Sequence, residues 1–171
     1  MKKIGLLSDT HSYLDENIFK HFQNCDEIWH AGDFGDEEVS DKLAAFKTLL
    51  GVHGNIDGTT IRTIHPVDQF FECEGVKVFI THIGGYPGSY FPEAEKKIQS
   101  LKPDLFICGH SHILKVMPDK KNNLLHMNPG AAGRHGFHKI RTILRFEIDK
   151  GKIAGLEAIE LGLRSEITDL P

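Results

Sequence analysis

The sequence predicts an α/β fold, and three observations indicate it. In the first half of the chain, short apolar runs alternate with helical patterns, which is typical of strands joined by crossover helices. In the second half, apolar runs come in pairs around short polar turns, as they do in hairpins. The chain has 171 residues, of which 40% are hydrophobic and 26% charged, which suits one soluble globular domain with one core. We therefore predict a single domain over residues 1–171.

The first half is predicted to contain three strands and two helices. Short apolar runs predict strands over Lys2–Leu7, Glu27–His30 and Thr48–Val52. Apolar residues at roughly helical spacing predict a helix over Asp15–Gln23. Acidic residues in the first turn favour a second helix over Asp36–Phe46, because the helix dipole attracts negative charge at its N-terminus.

The second half is predicted to be rich in hairpins. Two apolar runs flank Glu74-Gly75, which indicates an antiparallel pair over Gln69–Cys73 and Val76–Thr81. A proline near the first position predicts a helix over Pro92–Leu101, and a buried strand over Leu105–Cys108 follows it. Two further strand pairs complete the prediction: Ile113–Met117 with Leu124–Met127, and Thr142–Ile148 with Lys152–Glu160.

Charge and cysteine content restrict the class of protein. The formal net charge is −4 and no dense Lys/Arg run is present, so a nucleic-acid polymer is not an expected partner. The N-terminal apolar run stops at Asp9, too early for a signal peptide or a membrane span. The cysteines, Cys25, Cys73 and Cys108, are odd in number and lack a C-x-x-C spacing. We therefore expect a cytoplasmic protein without disulfides or membrane association.

Five predicted strands are followed by residues of the types that bind metals in proteins. These residues are Asp9 and His11 after the first strand, Asp33 after the second, Asn55 after the third, His82 after the fifth, and His110 and His112 after the sixth. Ligands of such sheets lie outside the carboxyl ends of the strands, so we expect these side chains to surround one crevice. A lone Asp or His at a strand end is more often a helix cap or a polar turn residue. Recurrence at five strand ends favours a metal site.

The spacing of these residues is also informative. Asp9 and His11, like His110 and His112, are two residues apart, and in extended backbone such residues point to the same side. Seven ligands exceed what one ion needs. If Asp33 bridges, each of two ions receives four protein ligands, with room left for a shared hydroxide and a substrate oxygen, as in two-metal sites that act at phosphorus. Carboxylate, amide and imidazole ligands together suit Mn, Fe, Ni, Co or Zn.

Five motifs in this order resemble those of the calcineurin-like metallophosphoesterases, and most closely the small bacterial and archaeal phosphodiesterases without a cap domain. The motifs are Asp9-x-His11, Gly32-Asp33, Gly54-Asn55-x-Asp57, Thr81-His82 and Gly109-His110-x-His112, with Asn128-Pro-Gly130 as a weaker continuation. They span most of the chain. One such motif is weak evidence for a family, whereas five in order with intact ligands are specific.

The resemblance implies a fold, a site and an activity. The fold is a four-layer α-β-β-α sandwich of two mixed sheets flanked by helices. One ion is held by Asp9, His11, Asp33 and His112, and the other by Asp33, Asn55, His82 and His110. Manganese is the metal that the resemblance favours, small phosphodiesters are the substrates, and related proteins suggest a homodimer or homotetramer. Asp9, Asp33 and Asn55 are accordingly expected to be catalytic.

One position departs from the family pattern. In the fuller motif a His follows the Asn, near the substrate, and protonates the leaving group, whereas this chain carries Ile56. An isoleucine cannot donate a proton, so we expect a preference for acidic leaving groups such as those of aryl phosphodiesters, unless His53 or His135 supplies the proton. His53, Arg134 and Asn55 are candidate substrate-binding residues. Asp57 is expected to be structural.

Other functions of the same fold stay open at this point. A protein-interaction scaffold with little catalysis is one alternative, although intact His82, His110 and His112 argue against it. A phosphomonoesterase or nucleotide phosphatase is another. A nuclease is less favoured, because nucleases of this kind carry capping or DNA-binding segments for which this chain has neither the length nor the basic surface.

Overall fold

The computed structural model describes residues 1–165 and contains two five-stranded sheets and one short ribbon. In chain order the strands are β1 Lys2–Leu7, β2 Glu27–His30, β3 Thr48–Gly51, β4 Asp68–Cys73, β5 Val76–Thr81, β6 Gly85–Tyr86, β7 Ser89–Tyr90, β8 Leu105–Ile107, β9 Leu114–Asp119, β10 Leu124–Pro129, β11 Ile140–Asp149 and β12 Lys152–Leu163. The helices are α1 Asn17–His21, α2 Glu37–Phe46, α3 Thr59–Ile64 and α4 Pro92–Leu101.

Both large sheets are mixed. The first has the order β12-β11-β1-β2-β3, in which β1, β2 and β3 run parallel and β11 pairs antiparallel with β1. The second has the order β4-β5-β8-β10-β9, in which β5, β8 and β10 run parallel between two antiparallel edge strands. The parallel strands of each sheet therefore end at a common edge, where polar residues from distant parts of the sequence can meet.

The two sheets pack face to face over a continuous core. Ile4 and Trp29 of the first sheet contact the same solvent-excluded cluster as Val78, Ile107 and Met127 of the second. Strands buried on both faces read as continuous apolar runs, which is why their positions could be predicted from the sequence.

Helices cover the outer faces of both sheets. Ile18 of α1 and Leu43 of α2 pack on Ile28 in the first sheet, and Ile98 of α4 packs on Phe106 in the second. The predicted four-layer α-β-β-α sandwich is confirmed. That residues 1–171 form a single domain stays a prediction, and residues 166–171 of it lie outside the described part of the chain.

Some elements differ from the sequence-based expectation. Helix α1 is shorter than the predicted Asp15–Gln23, and β8 ends at Ile107, one residue before Cys108. Helix α3 and the β6–β7 ribbon were not predicted, since α3 consists mainly of β-branched residues that favour strands. Across residues 1–165, no helix combines the length and apolar character needed to span a membrane.

A buried histidine in the second sheet has no polar partner. His126 of β10 is fully solvent-excluded beside the ring of Phe106, and neither of its ring nitrogens forms a hydrogen bond within the described residues. Burial, reinforced by the positive charge of Lys115, lowers the pKa of His126 to about 4. The residue is therefore neutral at physiological pH and costs free energy if it is protonated in the folded state.

We expect His126 to make folding sensitive to mild acid. In the unfolded chain the histidine pKa is about 6.5, so between pH 6.5 and 4 the unfolded state binds a proton that the folded state excludes, and stability falls as the pH falls. For the metal-free protein, the contribution of His126 to the free energy of unfolding should drop by about 2 kcal/mol between pH 7.5 and pH 5. Denaturant titration should therefore show that the wild type loses about 2 kcal/mol more stability than His126→Leu between pH 7.5 and pH 5; equal losses in the two proteins would contradict this.

Candidate metal centre

All seven predicted ligands lie together at one edge of the sandwich. They follow β1, β2 and β3 in the first sheet and β5 and β8 in the second. Backbone hydrogen bonds tie the strand-end loops to one another: the Asp9 amide donates to the Gly32 carbonyl over 2.9 Å, and the Gly109 amide donates to the His82 carbonyl over 2.9 Å. The second of these bonds links the ends of β5 and β8, and the first links those of β1 and β2.

The ligand atoms fall into two groups. One comprises Asp9, His11 and His112, and the other comprises Asp33, His82 and His110; within each group the candidate ligand atoms lie within 4.8 Å of one another. Both groups combine one carboxylate with two imidazoles, a donor set that suits a transition-metal ion.

The Asp33 carboxylate connects the two groups. Its Oδ2 atom lies 3.4 Å from Nε2 of His11 in the first group and 3.2 Å from Nε2 of His82 in its own. An oxygen in this position can contribute to two ions at once, as the bridging arrangement requires.

Asn55 completes the second group. Its Oδ1 atom lies 3.1 Å from Nε2 of His82 and 3.0 Å from Nδ1 of His110. Nδ1 of His82 is directed to the Ala31 carbonyl over 2.7 Å, and donation there leaves the Nε2 lone pair facing Asn55 and Asp33. A backbone acceptor of this kind fixes the tautomer of a metal-binding histidine.

The backbone at the site is strained. Among the described residues, positive φ outside glycine occurs at Asp9, His11, Asp33, His110 and His112 (φ between 44° and 69°) and at five others. The expectation that Asp9/His11 and His110/His112 share a side because their backbone is extended is therefore wrong, because all four residues have left-handed backbone. Asp9 and His11 still belong to one group, whereas His110 and His112 belong to different groups. Such strain costs of order 1–3 kcal/mol per residue and concentrates at functional sites.

The buried carboxylates of the site need a positive charge to balance them. Asp9 is fully buried, and its Oδ1 atom and Nε2 of His11 have no hydrogen-bond partner within residues 1–165, although they lie 3.9 Å apart. Burial raises the pKa of the Asp33 carboxyl, but His11 and His82 outweigh that effect and hold the pKa well below its usual range. Either protons on the imidazoles or metal ions must balance the buried carboxylates, and the two compete for the same lone pairs. The residues therefore fit divalent ions.

The loop that carries Asn55 is held by two residues away from the ligands. Asp57 is buried and accepts hydrogen bonds from the amides of Gly35 (2.9 Å) and Gly54 (2.8 Å), which agrees with its expected structural role. Arg62 of α3 donates to the carbonyls of Gly54 and Asp57. Arg62 was missed by sequence reasoning, and no signal pointed to it because α3 itself was not predicted.

Two cavities adjoin the ligands. The larger, about 460 Å³, is lined by His11, Asn55 and His110, and the smaller, about 290 Å³, by His53, Asn55 and His82. Asn55 thus forms part of the wall of both. The metal ligands are accessible from two sides.

The candidate substrate-binding and proton-donating residues outside the ligand set lie in different places. Nδ1 of His53 donates to the His65 carbonyl, and the residue lines the smaller cavity. His135 stacks on His11 with ring centroids 4.7 Å apart and lines the larger cavity. The Arg134 guanidinium lies over the Tyr13 ring, 4.3 Å from its centroid, and does not line either cavity. Substrate binding by His53 and Arg134 stays a prediction.

Comparison with known proteins identifies the family. The model of the calcineurin-like phosphoesterase superfamily domain matches residues 1–151, and the chain belongs to that family. It is 30% identical over 134 residues to a probable metallophosphoesterase of Methanocaldococcus jannaschii, covering 75% of this chain and 67% of the relative. It is also 30% identical over 145 residues to a phosphodiesterase of the same organism, covering 75% and 82%.

A solved structure agrees with this assignment. An archaeal phosphodiesterase superimposes with a TM-score of 0.74 and 26% identity, over 93% of this chain and 99% of that one. The chain is thus a phosphoesterase-family protein whose family implies divalent metal ions, and its structure contains two candidate metal-binding groups.

Gly54 offers a test of the site that does not alter any ligand. A Cβ at residue 54 would lie 1.9 Å from Oδ1 and 2.4 Å from the backbone nitrogen of Asp33, whereas one at Gly58, in the same loop, would meet nothing within 4 Å. We expect Gly54→Ala to displace Asp33 and weaken divalent-metal binding at least about tenfold, with Gly58→Ala close to wild type. Isothermal titration of the apoprotein with Mn²⁺, alongside circular dichroism to confirm folding, checks this; equal affinities in both folded variants would contradict it.

Proposed function

We propose that this chain hydrolyses small phosphodiesters with the aid of two divalent ions, held by Asp9, His11, Asp33 and His112 at one position and by Asp33, Asn55, His82 and His110 at the other. The observation that carries the proposal is the Oδ2 atom of Asp33, which lies within 3.4 Å of an imidazole nitrogen from each group. The phosphodiesterase relative and the archaeal phosphodiesterase structure support the choice of ester class.

The protein groups have distinct roles in this proposal. Two divalent ions bound by these residues would lower the pKa of a coordinated water and offset the charge that grows on the phosphoryl oxygens. Asp33 fixes the separation of the two positions, and buried Asp9 anchors the first. Asn55 presents its Oδ1 atom to the second group, which leaves its amide NH₂ to donate to a phosphoryl oxygen. The left-handed turns hold these groups in place before substrate arrives.

The metal and the setting are part of the same proposal. Carboxylate, amide and imidazole donors suit Mn, Fe, Co, Ni or Zn, and we favour manganese from the family resemblance. A cytoplasmic location and a homodimer or homotetramer are proposed on the same grounds, with a small phosphodiester rather than a nucleic-acid polymer as substrate.

The direct test of the proposal is metal-dependent turnover. The apoprotein, reloaded in turn with Mn²⁺, Fe²⁺, Co²⁺, Ni²⁺ and Zn²⁺, should hydrolyse bis(4-nitrophenyl) phosphate faster than 4-nitrophenyl phosphate. Asp33→Asn should lower kcat on the order of 10³-fold, whereas Gly58→Ala should not. No turnover with any metal would favour the scaffold alternative, and faster hydrolysis of the monoester would favour a phosphomonoesterase.

Ile56 offers a test of the missing proton donor. Its side chain is 46% exposed and lines the larger cavity, while its amide donates to Oδ1 of Asp33 over 3.1 Å. Ile56→His places an imidazole there without removing that backbone bond. Because a general acid accelerates departure of poor leaving groups by about 10²-fold or more, the variant should gain most on alkyl phosphodiesters. A plot of log(kcat/KM) against leaving-group pKa should become shallower than that of the wild type; unchanged slopes would contradict the assignment.

A further inference from the structure

The mouth of the larger cavity carries an unusual concentration of exposed apolar surface. Ile56, Ile113 and Phe137 all line the cavity, and their side chains are 46%, 61% and 104% exposed. They come from three separate connections, between β3 and α3, between β8 and β9, and between β10 and β11. We call these three residues the apolar rim.

The position of the rim ties it to the reacting centre. Ile56 directly follows Asn55, and Ile113 directly follows His112, so two of the three side chains are attached next to candidate ligands. His135, which stacks on His11, lies two residues before Phe137. A molecule whose phosphate reaches the ligands from this cavity can therefore contact the rim.

The charge of the cavity restricts what can lie there. The described residues that line the larger cavity include imidazoles, Asp33 and Asn55 but neither lysine nor arginine. Within residues 1–165, a second phosphate group or a polyphosphate chain would find no lysine or arginine in the lining of this cavity. The smaller cavity beyond Asn55 is polar by contrast, with His53, Arg62 and Glu93 in its lining.

We propose that the apolar rim binds an uncharged aromatic or similarly apolar leaving group of the substrate, and that the smaller cavity accommodates the retained polar arm of the diester. The inference rests on the proposed function and adds the substrate class to it. The leaving group is assigned to the rim because Ile56 occupies the position from which the family's histidine serves that group. Apolar contact there gains free energy from surface removed from water.

The experiment compares two sets of methyl aryl phosphodiesters hydrolysed by the Mn²⁺-loaded protein. Both sets cover the same range of leaving-group pKa; one carries chloro or alkyl ring substituents and the other uncharged polar ones such as carboxamide. In a plot of log(kcat/KM) against leaving-group pKa, the wild type should give two parallel lines. The line for the apolar set should lie about tenfold higher, a typical discrimination for an apolar subsite.

Substitutions in the rim test whether it causes the separation between the two lines. Phe137→Ser and Ile113→Ser should bring the two lines together, whereas Phe70→Ser, at an exposed position on β4 away from the cavity, should leave them apart. Because Phe137 is fully exposed, its replacement should not change Tm, and this separates loss of recognition from loss of folding.

Three outcomes overturn the inference, and they are distinguishable. Turnover by the wild type along a single line rejects the rim as a subsite but leaves the phosphodiesterase proposal intact. Absence of turnover with every metal rejects the proposed function and the inference with it. If Phe137→Ser changes the oligomeric state in light scattering while the two lines stay apart, the rim is a contact between copies of the chain instead.

Discussion

The structure depends on placing a nearly solvent-free carboxylate between imidazoles that belong to different sheets. Asp33 is 2% exposed, and an isolated carboxylate would be expensive to bury there. The Ile56 amide, His11 and His82 all approach it, so strand-end loops from both sheets converge on a single charged group. The Asp33 carboxylate therefore lies where ligand-bearing loops of the two sheets meet.

Holding these loops requires the rest of the sandwich. Five candidate ligands have left-handed backbone, a conformation that glycine adopts readily and that costs other residues of order 1–3 kcal/mol each. The core between the sheets and the outer layers formed by α1, α2 and α4 offset this cost, because apolar burial is the dominant favourable contribution to folding. Asp57 and Arg62 then hold Asn55 in position, because both form hydrogen bonds to the backbone of the loop that carries it.

The sequence was informative where burial controls structure. Buried strands appear as apolar runs, so β1, β2 and β5 were predicted with their observed bounds, and the strand-end ligands followed from them. The left-handed turns were not predictable, because an Asp or His in a sequence does not indicate positive φ as a glycine does. Helix α3 was missed since tertiary contacts, including the Arg62 bonds, override its weak local preference. The lack of hydrogen bonds to the ring nitrogens of His126 within the described part of the chain was likewise not predictable from the sequence. It results from the pairing of β10 with β8, which places His126 opposite Phe106.

The replacement at position 56 links chemistry to recognition. Where neither His53 nor His135 replaces the missing donor at position 56, departure of the leaving group depends on the acidity of that group itself. Among stable esters of phosphate, acidic alcohols are largely aromatic, and an aromatic ring has a large apolar surface that can be buried against apolar side chains. In the proposed function, the isoleucine therefore removes one route to hydrolysis and adds apolar surface for the substrates that do not need that route. On the opposite side of Asn55, His53 and Arg62 provide polar surroundings, so under the proposal the two ester arms would meet different environments and the phosphate would have a preferred orientation at the ligands.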